Sequence, residues 1–246
     1  MFTTAIVVLV FSAIQSLFGM GLLVFGTPTM LLLGNDFSFT LATLLPPSIT
    51  ISSLQLFKDR DNIDRKMAMN FIIFCLPFVV LSLSYYLYAQ VKLKLEFGIA
   101  IFLILSLLLR TVPSFEKKMQ EVVLKFQKPF LVIMGVVHGF TNMGGALLSV
   151  FSSSQYTSKE KVLNCVAFCY LFFATIQIIV LAIFQPEVFS IDILLLSLAA
   201  ATIYLTLGKF LFTNTSQNFY KNLFSGFMLI YAILLVIKGL GLMPYK

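Results

Sequence analysis

Long apolar runs cut by short polar punctuation set the pattern of this chain. No Lys, Arg, Asp or Glu falls between Lys66 and Lys92, from Pro129 to Ser158, from Val162 to Pro186, from Ile193 to Gly208 or from Asn222 to Ile237, and Asp36 is the one charge in residues 1–57. Runs of this length match a bilayer core about 30 Å thick, which takes about 20 helical residues to cross. Eight apolar segments result, at about 3–33, 38–57, 67–90, 97–111, 129–155, 161–184, 190–212 and 219–242. In lipid every backbone polar group must be paired within the protein, and these runs are too long for barrel strands. The pattern predicts an all-α polytopic integral membrane protein. It is read as a single membrane domain over 1–246, with repeat one at 1–111, a central loop at 112–128 and repeat two at 129–246.

The two halves resemble each other at an offset of 123 residues. SLFGMGLLVF (Ser16 to Phe25) lies over GFTNMGGALL (Gly139 to Leu148), with Met20-Gly21 on Met143-Gly144 and Gln15 on His138. Segments one and five each carry a polar, glycine-containing break near the middle. In segment five the arms on either side are too short to span at 1.5 Å per residue, and the second ends in Ser152-Ser153-Ser154-Gln155. Both segments read as broken helices or re-entrant hairpins, with ordinary kinked spans as the alternative. Loop charge weighs the two. If all eight segments cross, 11 of the 17 Lys and Arg fall inside, and if segments one and five turn back, 13 do. The positive-inside rule favours the second arrangement, two pseudo-symmetric inverted repeats of four segments each.

Composition changes this picture little. The chain is 59% apolar and 11% charged, with a net charge of +7. Its basic residues cluster in short loops, where they set orientation and meet anionic lipid, so nucleic acid is not an expected partner. Met-Phe-Thr-Thr lacks a basic n-region, so a cleaved signal peptide is not expected. Cys75, Cys165 and Cys169 lie inside apolar runs without a Cys-x-x-Cys pair. They read as small packing residues, with a sulfur-carrying role as the alternative.

Candidate chemistry is neutral. No carboxylate sits inside a segment, which argues against a carboxylate proton relay and against a hard-cation site. No hydrolase motif is present, so no catalytic residue, metal ligand or cofactor is expected. A helix N-terminus binds anions through unpaired N–H groups. Half-helices starting near Gly21 and Gly145 would therefore offer an anion site without Lys or Arg. Candidate substrate-binding residues at the breaks are Ser16, Gly19, Gly21, His138, Thr141, Asn142, Gly144 and Gly145. Thr141 and Asn142 could equally serve as helix caps. His138, the sole histidine, either satisfies broken-helix backbone or contacts a proton or anion. Its counterpart Gln15 cannot titrate. In segment two, Thr43, Pro47 and Thr50 share a helix face. That face is either a kink with hydroxyl back-bonding or a polar stripe. Asn164 corresponds to Thr43 in segment six, and a buried amide in a span needs a partner. Thr43, Pro47 and Asn164 complete the candidate set. Lys209 is expected to snorkel to the interface.

These features together resemble the sulfite exporter TauE/SafE family over nearly the whole chain. The motifs that carry the resemblance are GMGLLVFGTPTMLLLG (with Gly19, Gly21, Pro28 and Gly34), FKDRDNIDRKMAMN (with Lys58, Arg60, Asp64 and Arg65), GFTNMGGALL, TSKEKVLN (with Lys159-Glu160) and LGKFL (with Gly208 and Lys209). Leu22 and Leu23 stand where the family has further glycines, and Ala146 stands for its proline. The resemblance implies a secondary transporter that exports a small organosulfur or sulfur oxyanion across the cytoplasmic membrane. Its partners would be that small anionic substrate and membrane lipid, and a homo-oligomer is compatible with the sequence. Three other readings stay open: an Na⁺- or H⁺-coupled uptake carrier for a related anion, a membrane enzyme using His138 or Cys165/Cys169, and an assembly subunit.

Overall fold

Short capped helices and long apolar ones alternate along the chain. The computed structural model describes residues 2–58, 63–89, 98–101, 103–104, 107–108, 113–208, 210 and 217–242, and every regular element among them is helical. Helix α1 (Phe2–Phe18) ends at a break. A π-turn (Leu22–Gly26) then leads into α2 (Thr27–Leu32). Helix α3 (Phe37–Lys58) follows, then α4 (Arg65–Phe74) and α5 (Leu76–Tyr88), α6 (Pro113–Lys125), α7 (Gln127–Thr141), α8 (Gly145–Gln155), α9 (Lys159–Phe184), α10 (Ile191–Ile203) with a π-turn extension (Tyr204–Gly208), and α11 (Gln217–Gly239).

The sequence places the helix starts. Asp36 Oδ1 accepts from Phe39 N ahead of α3, the Asp64 side chain accepts from Lys66 N, and the Ser158 side chain accepts from Lys161 N. Each satisfies a donor that has no intrahelical partner. Gly34, at φ 86°, closes α2 as a left-handed C-cap residue, with its N–H on Leu31 O and that of Asn35 on Met30 O.

Four helices are long and apolar enough to cross a membrane: Phe37–Phe57, Arg65–Tyr88, Lys159–Phe184 and Ile191–Gly208. The chain is a multi-pass membrane protein by this measure. Burial ranks the spans. The core window of Phe37–Phe57 is 72% buried and that of Ile191–Gly208 only 17%, so α3 is central and α10 faces outward. Leu194, Leu195, Leu198 and Leu205 are exposed on that outer helix, as lipid contact requires. Helix α3 packs against α9 and α10, α9 against α3 and α5, α5 against α7, and α1 against α10.

Segments one and five fold back on themselves. Phe11 and Phe25 have ring centroids 6.2 Å apart, whereas 14 residues of straight helix would separate them by about 21 Å. Phe130 and Phe151 stack at 6.5 Å, against about 31 Å for 21 residues of helix. Each segment is thus a helical hairpin, α1/α2 and α7/α8. The serines at the end of α8 are accommodated by back-bonding: the hydroxyls of Ser152, Ser153 and Ser154 donate to the carbonyls of Ser149, Val150 and Phe151.

Two differences from the sequence reading stand out. The stretch 112–128, expected as a loop, is helical over Pro113–Lys125 and turns by 105° into α7. Pro113 suits a first-turn position, Glu121 precedes Lys125 by four residues, and Val123 buries against the bundle. Segment three is interrupted at Cys75, ahead of Pro77, though its helices still count as one span. Lys209 lies outside the described residues.

Candidate functional site

The two breaks are built alike. At the first, α1 ends with Gly19 N–H on Gln15 O at 2.7 Å, and Gly19 is left-handed at φ 73°. At the second, α7 ends with Asn142 N–H on His138 O at 2.8 Å. Asn142 is left-handed at φ 58°, the one non-glycine with positive φ among the described residues. Asparagine tolerates this region better than other side chains. Gly19 and Asn142 are 123 residues apart, as are Gln15 and His138.

Gln15 and His138 then do the same work. Gln15 Oε1 accepts the Leu22 N–H at 3.1 Å beyond its break, and its Nε2 donates to Ser48 Oγ at 3.1 Å on α3. His138 Nδ1 accepts the Gly144 N–H at 3.2 Å, and its Nε2 bonds to Gln177 Oε1 at 3.1 Å on α9. A backbone N–H can only donate, so Nδ1 carries no proton and Nε2 holds the hydrogen. The ring is therefore a neutral imidazole. It also stacks on Phe173 at 3.8 Å between centroids.

The hairpins meet at the second break. Asn142 Nδ2 donates to Thr27 Oγ1 at 2.9 Å, across to the start of α2. Gly145 has no room for a side chain, because a Cβ would overlap the Tyr170 hydroxyl and come within 2.5 Å of Val24 Cγ2. The amides of Gly145, Ala146 and Leu147 precede the first N–H-to-C=O bond of α8, from Leu148 to Gly144. Helix α9 runs past both breaks: Leu163 and Val166 cover Gly19, Tyr170 covers Gly145, and Phe173 and Gln177 engage His138. Thr27, His138, Asn142, Tyr170 and Gln177 are all fully buried.

Several buried polar atoms on α3, on α9 and at the second break have no protein partner among the described residues. They are Asn142 Oδ1, Gln177 Nε2, Asn164 Nδ2, Thr43 Oγ1 and Gln55 Oε1. Each such atom costs about 1–3 kcal/mol when left unpaired in a dry interior. No carboxylate is buried among the described residues, and no group of three or more metal-ligating side chains occurs among them.

The remaining candidates divide. Thr141 caps its break, accepting from Met143 N while donating to Val137 O. Gly144 lies against the His138 ring, and Gly21 against the backbone of α1 at Ile14 and Phe11. Ser16 is back-bonded to Ser12 O and lies against Gly208. Pro47 and Pro46 sit inside α3, where Thr50 Oγ1 donates to Pro46 O. Thus His138, Thr141, Asn142, Gly144 and Gly145 come together, while Ser16, Gly19 and Gly21 line the other break. The cysteines are reduced and buried. Tyr170, Gln177, Thr27 and Gln55 were not among the sequence candidates. Gln177 carried a usable signal, an amide in the C-terminal half of a 26-residue helix where its neighbours are almost all apolar. Tyr170 carried none.

No curated protein and no solved structure matches the chain. A family profile described as sulfite exporter TauE/SafE does match, over residues 4–235 of 246, and that range takes in both hairpins and all four spans. With its two glycine-containing breaks folded as hairpins within a bundle of apolar helices, the chain belongs to the sulfite exporter TauE/SafE family.

Proposed function

We propose that this protein is a secondary transporter that exports a small sulfur oxyanion or organosulfonate across the cytoplasmic membrane, and that the substrate binds where the two hairpins meet. The observation that carries this reading is the buried, unpartnered amide nitrogen of Gln177, on a side chain bonded to His138 at the second break where α8 begins, with no buried carboxylate among the described residues. An oxyanion oxygen that accepts from such an amide nitrogen recovers its unpaired cost, whereas Asn142 Oδ1 and Gln55 Oε1 only accept and need a donor instead. An oxyanion suits a helix start and side-chain amides, since both donate without carrying a charge.

The packing supports two equivalent halves, and the loop charges favour their inversion. Exchanging the halves maps α5 on α7 to α10 on α1, and α3 on α10 to α9 on α5, while the central α3–α9 contact maps to itself. On this reading the hairpins are re-entrant and approach each other from opposite sides, as in transporters with discontinuous helices. Carriage rather than catalysis is supported by the histidine, whose two nitrogens are both committed to hydrogen bonds. The membrane potential favours anion exit by about 2.3 kcal/mol per charge per 100 mV, so export does not demand a proton relay.

The test is flux from liposomes containing the purified protein and loaded with sulfite, thiosulfate, sulfoacetate, taurine or sulfate. Anion efflux that rises with an outward driving potential is the expected result. Passage of zwitterions or cations while every anion is retained would overturn the proposal.

A further inference from the structure

The hydrogen-bond chain through His138 has a fixed direction, and that direction decides what Gln177 offers. It begins at the Gly144 N–H, which can only donate. His138 Nδ1 therefore accepts, at 3.2 Å, and the ring hydrogen lies on Nε2. Nε2–H then donates to Gln177 at 3.1 Å and requires an acceptor there, so the carboxamide must turn its oxygen toward the ring. The amide nitrogen, with two hydrogens, is left facing elsewhere. It is buried and has no partner among the described residues, and the residue is 0% exposed. The orientation of an amide is normally ambiguous from heavy atoms alone. Here a backbone donor two links away removes the ambiguity.

The first half supplies the contrast. Gln55, 122 residues before Gln177, donates its nitrogen to Gln15 O at 3.3 Å, and its oxygen is the unpartnered atom. A backbone carbonyl can only accept, so this amide too is fixed, with the opposite polarity. The repeat thus presents a free donor in one half and a free acceptor in the other.

Resting on the anion-carrier reading, we propose that Gln177 Nε2 is a substrate-contacting donor for an oxyanion oxygen. His138 is the positioning residue that holds Gln177 in the donor orientation. The histidine contributes polarity rather than charge. Its role can be filled by any side chain that accepts at one atom and donates at another, as Gln15 does at the first break.

Sulfite binding to purified protein in detergent, with thiosulfate alongside, tests this in four variants. Gln177→Met keeps volume and removes the donor, and is expected to weaken the anion roughly tenfold or more, the worth of a hydrogen bond to a charged group. His138→Gln restores both bonds and is expected to bind within about threefold of the unsubstituted protein, near the limit of what a neutral swap changes. His138→Leu is expected to lose as much as Gln177→Met, and the double variant no more than either alone, because both act through one atom. Unchanged affinity in Gln177→Met would overturn the inference by showing that water alone satisfies the amide. Additive losses in the double variant would also overturn it. If His138→Leu does not fold, nitrogen NMR of the sole histidine decides the relay. A protonated Nε2 with a bare Nδ1 is expected, and an Nδ1–H tautomer or an imidazolium at neutral pH refutes it. Absence of anion binding in the unsubstituted protein would instead refute the carrier reading itself.

Discussion

Adding one methyl group at Gly145 probes how the two hairpins meet. A Cβ there would overlap the Tyr170 hydroxyl oxygen, lie 3.0 Å from Tyr170 Cζ and lie 2.5 Å from Val24 Cγ2. None of these groups can retreat freely. Tyr170 is fully buried with its ring edge-on to His138 and to Phe173, and Val24 is also fully buried. Overpacking of a closed core costs about 1–3 kcal/mol. In a chain of this size each kcal/mol moves the melting temperature by about 2–4 °C. Gly145→Ala is therefore expected to melt roughly 2–12 °C lower in detergent and to lose transport. Tyr170→Phe removes the oxygen that the new methyl would overlap. In that background the glycine substitution should cost at least about 0.5 kcal/mol less, the coupling expected of touching residues. The assay is a thermal-unfolding cycle over the four proteins. Strict additivity, or a Gly145→Ala protein that melts with the unsubstituted one, would refute the close approach of Tyr170 to the start of α8.

Other outcomes follow from the same geometry. Single-cysteine labelling in sealed vesicles should place residues 2 and 35 on one face, and residues 128 and 157 on one face; opposite faces for either pair would make that hairpin a full span. Asn142→Gly keeps the left-handed turn and should cost less than Asn142→Ala, which forces a Cβ into that region at about 1–2 kcal/mol while losing the same bond to Thr27; equal unfolding midpoints would contradict this. Gly21→Ala is expected to destabilise hairpin one before it affects binding, since the added atom meets the backbone of α1 rather than a yielding side chain; a normally folded, transport-deficient variant would instead place Gly21 in the substrate path. Transport by His138→Gln should keep the pH profile of the unsubstituted protein, because the neutral ring already donates and accepts as an amide would; a flattened profile would show that the histidine exchanges a proton.

Sequence alone determined the class of molecule. Charge-free runs near 20 residues leave helices in lipid as the one solution for the backbone, and four such helices are present at the expected places. It also located both breaks, because Gly19 and the Asn142-Met143-Gly144-Gly145 run sit where an α-helix interior is least stable. The pairing of Gln15 with His138 by offset was legible too, and both side chains cap the backbone beyond a break. For the direction of each break, sequence offered only a narrow balance of loop charge, 13 basic residues inside against 11, in favour of reversal. Whether a glycine break kinks a helix or reverses it depends on what the second arm packs against, and only the approach of Phe11 to Phe25 and of Phe130 to Phe151 reveals the reversal. The helix at Pro113–Lys125 was hidden for a related reason, since its mixed charges suit an exposed loop as well as a helix that buries one side at Val123. Tyr170 was invisible as a site residue because nothing local marks it, and Gln177 was marked only as a polar residue in an apolar helix, not as a partner of the break. They matter through Gly145 and His138, partners 25 and 39 residues away along the chain that meet them only once the second hairpin closes.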